Sequence, residues 1–356
     1  MFHHADTRSG FANQKREYTV RKKINVGLIG AGRLGTMYAD FLTTRVTGAN
    51  LVAVADIVPE RATKCSERFG IDKAYFSHQE INSDKNLAAV IVTATTANHK
   101  EIVLDAAAKG RPIFCEKPMT LSLKDAREMK AAIEKHGVFY QQGYMRRFDK
   151  GLAAAKKKIN EGVIGTPVVF RGSSRDPYLP TLEYLYPHNS GGQILDMAIH
   201  DIDIARWYMG EISSVYSIGG VLAYPEVKDT GDTDNVIMSM KFESGCLGEI
   251  DISRNGIYGY DIRAEVLGTK GTLKIGYLRE TPILVMTAQG VTHDVVPYFP
   301  ERFCDAYVAQ LNDFLNNLQN DLEPMITIED GIAGLQVAVA ATASLKESRI
   351  VNVKDF

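Results

Sequence analysis

Two short segments of this 356-residue chain carry side chains that could do acid–base chemistry. In the first, an apolar stretch ends in Glu116-Lys117-Pro118, which places a carboxylate and an ammonium at the end of a predicted strand. In the second, Asp196 and His200 are one helical turn apart in a helix predicted over 192–208, so they share one face. A carboxylate one turn from an imidazole can orient the ring and tune its pKa, which suits catalysis near neutral pH.

These segments make Lys117, Asp196 and His200 candidates for acid–base catalysis. Other interpretations stay open, because Lys117 could belong to an exposed ion pair of little worth to stability, and His200 could be a satisfied core residue. Asp and His could also bind a metal, but metal sites usually recruit a clearer set of converging ligands, and we predict none. The same helix face continues to Asp203 and Trp207, and we expect that polar stripe to face a buried cleft.

A glycine-rich motif predicts a dinucleotide site. Gly30, Gly32 and Gly35 lie between an apolar strand and a helix, with the spacing that lets a pyrophosphate approach the backbone and the helix N-terminus. Asp56 ends the second strand; its carboxylate can accept from both ribose hydroxyls and would repel a 2′-phosphate, so NAD is favoured over NADP. The small and hydroxyl side chains that follow the next strand suit a nicotinamide ribose.

The cofactor-binding prediction covers twelve residues, although the glycine turn and His99 could instead have structural roles. They are Gly30, Gly32, Arg33, Leu34, Gly35, Asp56, Thr93, Thr95, Asn98, His99, Glu116 and Lys117.

The elements that must position these residues change character along the chain. Apolar strands alternate with helices over 24–142, which predicts a doubly wound, Rossmann-type parallel sheet. Over 143–356, strands joined by tight turns predict an α+β domain with a large open, mostly antiparallel sheet. Only another subunit could bury the outer face of that sheet, so we expect a homo-oligomer, a tetramer. Residues 1–23 are predicted to form a flexible arm.

Composition excludes some classes of function. The net charge of −2 gives no field that would attract nucleic acid or an acidic membrane, and no apolar run is long enough to cross a bilayer. The first residues lack the apolar core of a secretory signal, so we expect a cytoplasmic protein. The 45% hydrophobic and 24% charged residues are ordinary for a globular fold.

In combination, the glycine motif with Asp56, the Glu-Lys-Pro segment and the Asp-x-x-x-His helix resemble the glucose-fructose oxidoreductase/inositol dehydrogenase family from Ile24 onward. Segments 143–149 and 258–261 are similar to its inositol 2-dehydrogenase branch. The resemblance implies that Lys117, Asp196 and His200 are catalytic. It also implies that the polyol pocket is lined by these three residues together with Arg146, Asp176, Tyr258 and Tyr260.

Two segments depart from that branch. The strand before the pocket typically carries His and Asn around an arginine, whereas this chain has Ser174-Arg175-Asp176, which leaves the recognised hydroxyl pattern open. The loop 177–190, which contains Tyr178, Tyr184, Tyr186 and His188, could shape the pocket or reach a neighbouring subunit. Of Arg146 and Arg147, one is expected to hold the connection between the domains.

Together with these residues, the resemblance implies NAD-dependent oxidation of a secondary hydroxyl of a cyclic polyol, myo- or scyllo-inositol, to the ketone. Hydride would pass to the nicotinamide while His200 takes the hydroxyl proton and Lys117 stabilises the oxygen. A dehydrogenase of an aldose or another pyranose remains an alternative. So do a cofactor-sensing protein without catalysis and an NAD-dependent glycosidase of the same fold.

Overall fold

The computed structural model describes residues 23–356. The predicted arm over 1–23 therefore lies almost wholly outside the described residues. The first part of the described chain is a βα alternation: β1 (Ile24–Ile29), α1 (Arg33–Thr44), β2 (Ala49–Ala55), α2 (Pro59–Phe69), β3 (Lys73–Tyr75), α3 (His78–Asn82), β4 (Ala89–Val92), α4 (Thr96–Ala108), β5 (Ile113–Glu116), α5 (Leu123–His136) and β6 (Tyr140–Gly143).

These strands form one parallel sheet in the order β3-β2-β1-β4-β5-β6. The order reverses between β1 and β4, and the crevice outside the carboxyl ends of the strands at such a switch point is where doubly wound sheets bind ligands. The predicted Rossmann-type sheet is thus confirmed. The short β3 and α3 were not predicted, because 73–82 is too short to show a period.

Local signals in the sequence explain where the helices end. Ser122 accepts a hydrogen bond from the Asp125 amide and caps α5. Gly70 and Gly137 take left-handed conformations after α2 and α5, with φ of 64° and 60°. Glycine adopts these angles without steric cost, so each helix stops where the chain can turn back to the next strand.

The second part of the described chain forms a mixed sheet with helices on its inner face. Its elements are α6 (Lys150–Asn160), β7 (Pro167–Arg175), α7 (Leu182–Leu185), α8 (Pro187–Ser190), α9 (Ile199–Met209), β8 (Ile212–Gly220), β9 (Asn235–Phe242), β10 (Leu247–Ser253), β11 (Asp261–Gly268), β12 (Gly271–Ile275), β13 (Val285–Thr287), β14 (Gly290–Thr292), α10 (Phe299–Asn320), α11 (Ile328–Glu347) and β15 (Val351–Asn352).

The strand order of this sheet is β12-β11-β7-β10-β9-β8-β15. Its pairs are antiparallel except for β7 and β10, which run parallel, so the mostly antiparallel prediction holds. Alternate residues of β9 are buried against the helices and exposed on the outer face. β7 ends at Arg175, and it thereby carries Ser174 and Arg175 to the start of the loop 176–190.

α10 lies late in the sequence but packs on the first sheet. Phe314 contacts Phe114 at a ring-centroid distance of 5.7 Å, and Tyr307 lies 5.8 Å from Tyr38. α10 belongs to the same buried cluster as the β1 residues Val26 and Leu28. The second part of the chain thus reaches back over the parallel sheet, and a wide cleft forms between the two sheets.

Candidate active site

A cavity of about 1250 Å³ lies in this cleft and is lined from both parts of the chain. We call one side the cofactor wall: the glycine loop 30–34, Asp56 and the segment 93–98. We call the other side the polyol wall: Lys117, Arg146, Asp176, Asp196, His200 and Tyr260. A cavity of this size is large enough for a dinucleotide and a small polyol together.

The glycine loop fits a pyrophosphate by the room it leaves. Gly30 has φ of +102°, and a Cβ there would lie 2.5 Å from the Ala94 amide nitrogen. A Cβ on Gly35 would lie 1.7 Å from the Gly30 carbonyl, so this glycine lets α1 pack against β1. Gly32 lines the cavity, and a Cβ there would meet no protein atom within 4 Å. The N-terminus of α1, which has no side-chain cap, opens onto this space and offers its amides to an anion.

Asp56 holds the loop as well as lining the cavity. Its Oδ2 accepts from the Ala31 amide at 2.8 Å, and Oδ1 accepts from the Val58 amide at 2.9 Å. Each carboxylate oxygen can accept a second hydrogen bond, so both remain able to receive ribose hydroxyls. Arg33 extends across the cavity, with its guanidinium 5.6 Å and 5.3 Å from the ring centroids of Tyr298 and Phe299.

The segment after β4 divides into cavity-lining and buried residues. Thr95 and Asn98 line the cavity and bond each other, Nδ2 to Oγ1, at 2.9 Å. Thr93 also lines it and donates to the Gly30 carbonyl at 2.8 Å. His99, predicted to contact the cofactor, is instead buried away from the cavity. Its ring nitrogens are 2.9 Å from the carbonyls of Pro118 and Ala94, so it ties the two strand ends together.

Glu116 also differs from its prediction as a ribose ligand. Its carboxylate points into the interior, where it accepts from the Tyr38 hydroxyl and from Gln310 Nε2 at 3.3 Å. Its other oxygen accepts from the Lys117 amide at 3.0 Å. Burial raises the pKa of Glu116, against the lowering effects of these donors. Glu116 therefore supports the end of β5 from the protein interior. Of Glu116 and Lys117, only Lys117 reaches the cavity.

Lys117 is directed across the cavity at Asp196. Its Nζ donates to the Asp196 backbone carbonyl at 3.0 Å and lies 3.6 Å from Oδ1 of the same residue. The Lys117–Pro118 peptide bond is cis, a form that is essentially confined to bonds before proline. The ammonium is thus held at the end of β5, with its charge at the boundary between the two walls.

Asp196 lies in a π-helical turn, Ile194–Ala198, that precedes α9. The sequence predicted an unbroken α-helix over 192–208; π turns of this kind often mark functional sites. The carboxylate accepts from the Tyr184 hydroxyl at 2.8 Å and from Arg254 Nη2 at 3.2 Å. Burial alone would raise the pKa of Asp196, but Lys117, Arg254 and the Tyr184 hydrogen bond hold it below its usual range. Asp196 is accordingly an anion that positions Lys117.

His200 lines the cavity with 7% of its surface exposed. Burial, together with the charges of Lys117 and Arg146, holds its pKa well below the ordinary value, so the ring is neutral. Its Nδ1 is buried and has no hydrogen-bond partner among the described residues. No Asp196–His200 hydrogen bond is formed, so Asp196 does not orient the ring as the helical spacing suggested, and its carboxylate faces Lys117 instead. A neutral imidazole at the cavity surface is a competent proton acceptor.

The polar stripe expected on this helix ends at His200. Asp203 turns away from the cavity and is buried against Arg147, with Oδ1 2.6 Å from Nη2. Trp207 packs 5.7 Å from the same guanidinium. The prediction that Asp203 and Trp207 face the cleft was wrong, because both side chains pack against the buried guanidinium of Arg147 instead.

Arg146 and Arg147 have the two roles that the sequence left open. Arg147 also bonds Asp330 of α11 at 2.8 Å, and so joins distant elements. Arg146 lines the cavity and is held by Asp201 at 2.8 Å and by Ser174 at 3.1 Å. Its Nε is buried without a partner among the described residues.

Asp176 and Tyr260 line the cavity, whereas Tyr258 does not. Burial and the charge of Asp196 raise the pKa of Asp176 to about 6. The Tyr258 hydroxyl lies outside the polyol wall and donates to Asp261 at 2.8 Å. Tyr258 therefore supports the first residue of β11, which follows Tyr260, and has no contact with the cavity.

Three site residues were not assigned roles from the sequence: Tyr184, Arg254 and Tyr298. Arg254 is fully buried and follows β10 directly, where an arginine amid strand residues could have signalled a buried ion pair. Tyr298 packs between Tyr178 and Tyr260, at 5.5 Å from each ring centroid. Tyr298 gave no local signal, whereas Tyr184 lies in the loop that the sequence suggested could shape the pocket, and it does line the cavity.

Both parts of the chain match models of one known protein family. Residues 24–144 match the model of an oxidoreductase family described by its NAD-binding Rossmann fold, and residues 156–353 match the C-terminal α/β domain of the same family. The chain belongs to this oxidoreductase family. The NAD-binding Rossmann domain assigned from the glycine loop and Asp56 is therefore that family's cofactor domain.

Among the relatives of this family member is the scyllo-inositol 2-dehydrogenase (NAD⁺) of Bacillus subtilis, 38% identical over 93% of this chain and 96% of the relative. The myo-inositol 2-dehydrogenase of Thermotoga maritima is also 38% identical, over 93% and 99% of the two chains. The crystal structure of scyllo-inositol dehydrogenase from Lactobacillus casei with NAD(H) and scyllo-inositol matches with a TM-score of 0.89, at 31% identity, over 94% of this chain and 100% of that one.

No helix of residues 23–356 is both long and apolar enough to span a membrane, and no group of three His, Cys, Asp or Glu side chains in that range could hold a metal ion.

Proposed function

We propose that this protein oxidises one secondary hydroxyl of a cyclic polyol, myo- or scyllo-inositol, to the ketone with NAD⁺. The observation that carries the proposal is the convergence of Lys117, Asp196 and the neutral His200 on a cavity whose opposite wall fits a dinucleotide. The names of the two relatives and of the complex with scyllo-inositol favour this substrate class.

Each residue of the polyol wall has a task in that reaction. Bound NAD⁺ supplies the hydride acceptor. His200 accepts the hydroxyl proton; because Nδ1 is enclosed by protein, Nε2 is the atom that takes it. Lys117 donates to the same substrate oxygen and stabilises its developing negative charge. Asp196 keeps Lys117 in place through its carboxylate and its backbone carbonyl.

Asp176, Arg146 and Tyr260 would contact the other hydroxyls of the ring. A polyol presents donors and acceptors at every carbon, and a carboxylate and a guanidinium on one wall can pair with both. Asp201 and Ser174 hold the Arg146 guanidinium in place at the cavity surface for such contacts.

The cofactor preference follows from Asp56. We propose NAD in preference to NADP, because the carboxylate at the end of β2 can accept from ribose hydroxyls and would repel a 2′-phosphate.

We also propose a homotetramer assembled through the outer face of the second sheet. Apolar side chains are exposed there, among them Tyr216, Ile218, Ile237, Leu247 and Leu267. Light scattering of the purified protein tests this, with a monomer as the contrary result. The domain boundary between residues 142 and 143 and a cytoplasmic location remain predictions.

A substrate panel tests the proposed function. The protein is assayed with inositol isomers, glucose and other aldoses, each with NAD⁺ and NADP⁺, by following the absorbance of the reduced nicotinamide. We expect the highest kcat/KM with an inositol isomer and NAD⁺, and a free inosose as product. A higher kcat/KM with an aldose would move the substrate to the pyranose class, and no turnover with any polyol would contradict the proposal.

A further inference from the structure

The loop 176–190 supplies a side chain to the catalytic carboxylate. Tyr184 lies in the short α7, and its hydroxyl donates to Oδ1 of Asp196 at 2.8 Å. Neighbouring loop residues line the same cavity, among them Tyr178, Pro180, Thr181 and Glu183. The loop therefore covers part of the cavity, and its Tyr184 hydroxyl contacts the Asp196 carboxylate.

Asp196 is fixed at both of its oxygens. Oδ2 is paired with Arg254 Nη2 at 3.2 Å, and Oδ1 receives Tyr184 and lies 3.6 Å from Lys117 Nζ. Without the hydroxyl, Arg254 would still hold Oδ2, but only the longer contact with Lys117 would restrain Oδ1, so the carboxylate would be freer to rotate about its bond to Cβ. The oxygen that faces Lys117 is thus the one that Tyr184 holds.

We propose that Tyr184 is a positioning residue for the oxidation: by donating to Asp196 Oδ1, it aims that oxygen at Lys117 and so fixes the ammonium over the reacting hydroxyl. This inference rests on the proposed function for its effect on turnover. The hydrogen bond itself, and its effect on Asp196, do not depend on the substrate.

The charges around the Asp196 carboxylate determine how much the Tyr184 hydrogen bond contributes to keeping it ionised. The titratable and charged groups that face Asp196 are Lys117, Arg254, Tyr184, Asp176, Asp232 and Tyr298. The two cations favour the anion, whereas Asp176 and Asp232 oppose it. The charge of Asp196 and burial raise the pKa of Tyr184, so its hydroxyl stays protonated and remains a donor. Removing that donor raises the pKa of Asp196.

Tyr184→Phe tests the proposal, because it deletes the hydroxyl and keeps the ring. The matched control is Tyr186→Phe, since Tyr186 is on the same loop and its hydroxyl makes no hydrogen bond among the described residues. Hydrogen bonds to charged groups are worth enough for a roughly ten-fold change in rate. We expect kcat of Tyr184→Phe to fall about ten-fold and the acid limb of its pH profile to move to higher pH. NAD⁺ affinity should stay within about two-fold of wild type, because the cofactor wall is unchanged.

A second readout needs no substrate. Protein labelled with ¹³C at the aspartate carboxyls is titrated by NMR, and Asp196→Asn assigns the signal. The Asp196 signal should titrate at higher pH in Tyr184→Phe than in wild type or Tyr186→Phe. An unchanged Asp196 titration, or a kcat no lower than that of Tyr186→Phe, would overturn the proposal. If wild type oxidises no inositol, the proposed function fails while the titration still decides whether Tyr184 holds Asp196.

Discussion

The two walls of the cavity are built in different ways. The cofactor wall is mostly backbone, and its glycine loop and strand ends come from three stretches that follow strands of one sheet. The polyol wall consists of charged and polar side chains from separate parts of the chain. They come from the segments after β5, β6 and β7, from the π turn and α9, and from the residue before β11. A backbone site depends on local conformation, whereas a side-chain site depends on tertiary packing and on the charges that it buries.

The walls should therefore respond differently to substitution. Changes in the polyol wall should affect turnover and the pH dependence of stability, with little effect on NAD⁺ affinity. Changes in the cofactor wall should affect NAD⁺ affinity first. The following substitutions test whether turnover and NAD⁺ affinity respond separately in this way.

The largest effect is expected from Lys117→Ala. Removing the donor to the substrate oxygen should lower kcat about 10³-fold, as loss of one donor to a developing oxyanion does. The NAD⁺ dissociation constant, measured by titration calorimetry, should change by no more than about three-fold. Lys109→Ala, at an exposed helix end, is the control. Turnover of Lys117→Ala near the wild-type rate would remove Lys117 from the reaction.

Gly32→Ala examines the cofactor wall alone. A Cβ at Gly32 meets no protein atom within 4 Å, so the thermal unfolding of the free protein should not change. If the pyrophosphate occupies that space, NAD⁺ affinity should fall by about ten-fold or more. Gly48→Ala, where a Cβ makes only ordinary contact with Leu315, should bind NAD⁺ normally. Unchanged affinity in Gly32→Ala would place the dinucleotide elsewhere.

Asp56→Ala should change cofactor choice. Loss of its hydrogen bonds to the Ala31 and Val58 amides loosens the loop for both cofactors, but only NAD⁺ also loses its ribose acceptor. The ratio of NADP⁺ to NAD⁺ dissociation constants should therefore fall about ten-fold. Equal losses for the two cofactors would show that Asp56 has the structural role only.

The smallest effect is expected in stability, from Asp176→Asn. The pKa of Asp176 is about 6 in the folded chain against an ordinary 3.8, so the folded state releases this proton less readily than the unfolded chain. Ionisation thus destabilises the fold as pH rises through this window. At pH 8 the amide should raise the free energy of unfolding by about 1–2 kcal/mol, and the gain should vanish towards pH 4. Urea denaturation at several pH values measures it; a pH-independent difference would contradict the assignment.

The same contrast explains what could be predicted from the sequence. Gly30, Gly32 and Asp56 were identified because their roles follow from the strand–turn–helix motif. That motif is recognisable within a short stretch of sequence. Lys117 and His200 were identified from their places at a strand end and on a helix face. Both parts of the fold could be predicted from the same periodicities.

Other features needed the tertiary structure. The inward turn of Glu116 depends on Tyr38 and Gln310, which are far away in the sequence. Asp203 pairs with Arg147 rather than facing the cavity, and spacing within a helix does not show which partner a buried carboxylate takes. Arg254 and Tyr184 converge on Asp196 from a strand end and a loop. Side-chain partners that are distant in the chain leave no local pattern.

The central claim is that a carbon–hydrogen bond of an inositol is broken while His200 and Lys117 act on its oxygen. The most direct measurement uses myo-inositol deuterated at carbon 2, with scyllo-inositol deuterated at every carbon as a second substrate. After incubation with NAD⁺, NMR is used to look for deuterium at C4 of the reduced nicotinamide. We expect one deuterium per reduced nicotinamide and an equal amount of inosose. Reduced nicotinamide without deuterium, or no reduction with either inositol, would contradict it.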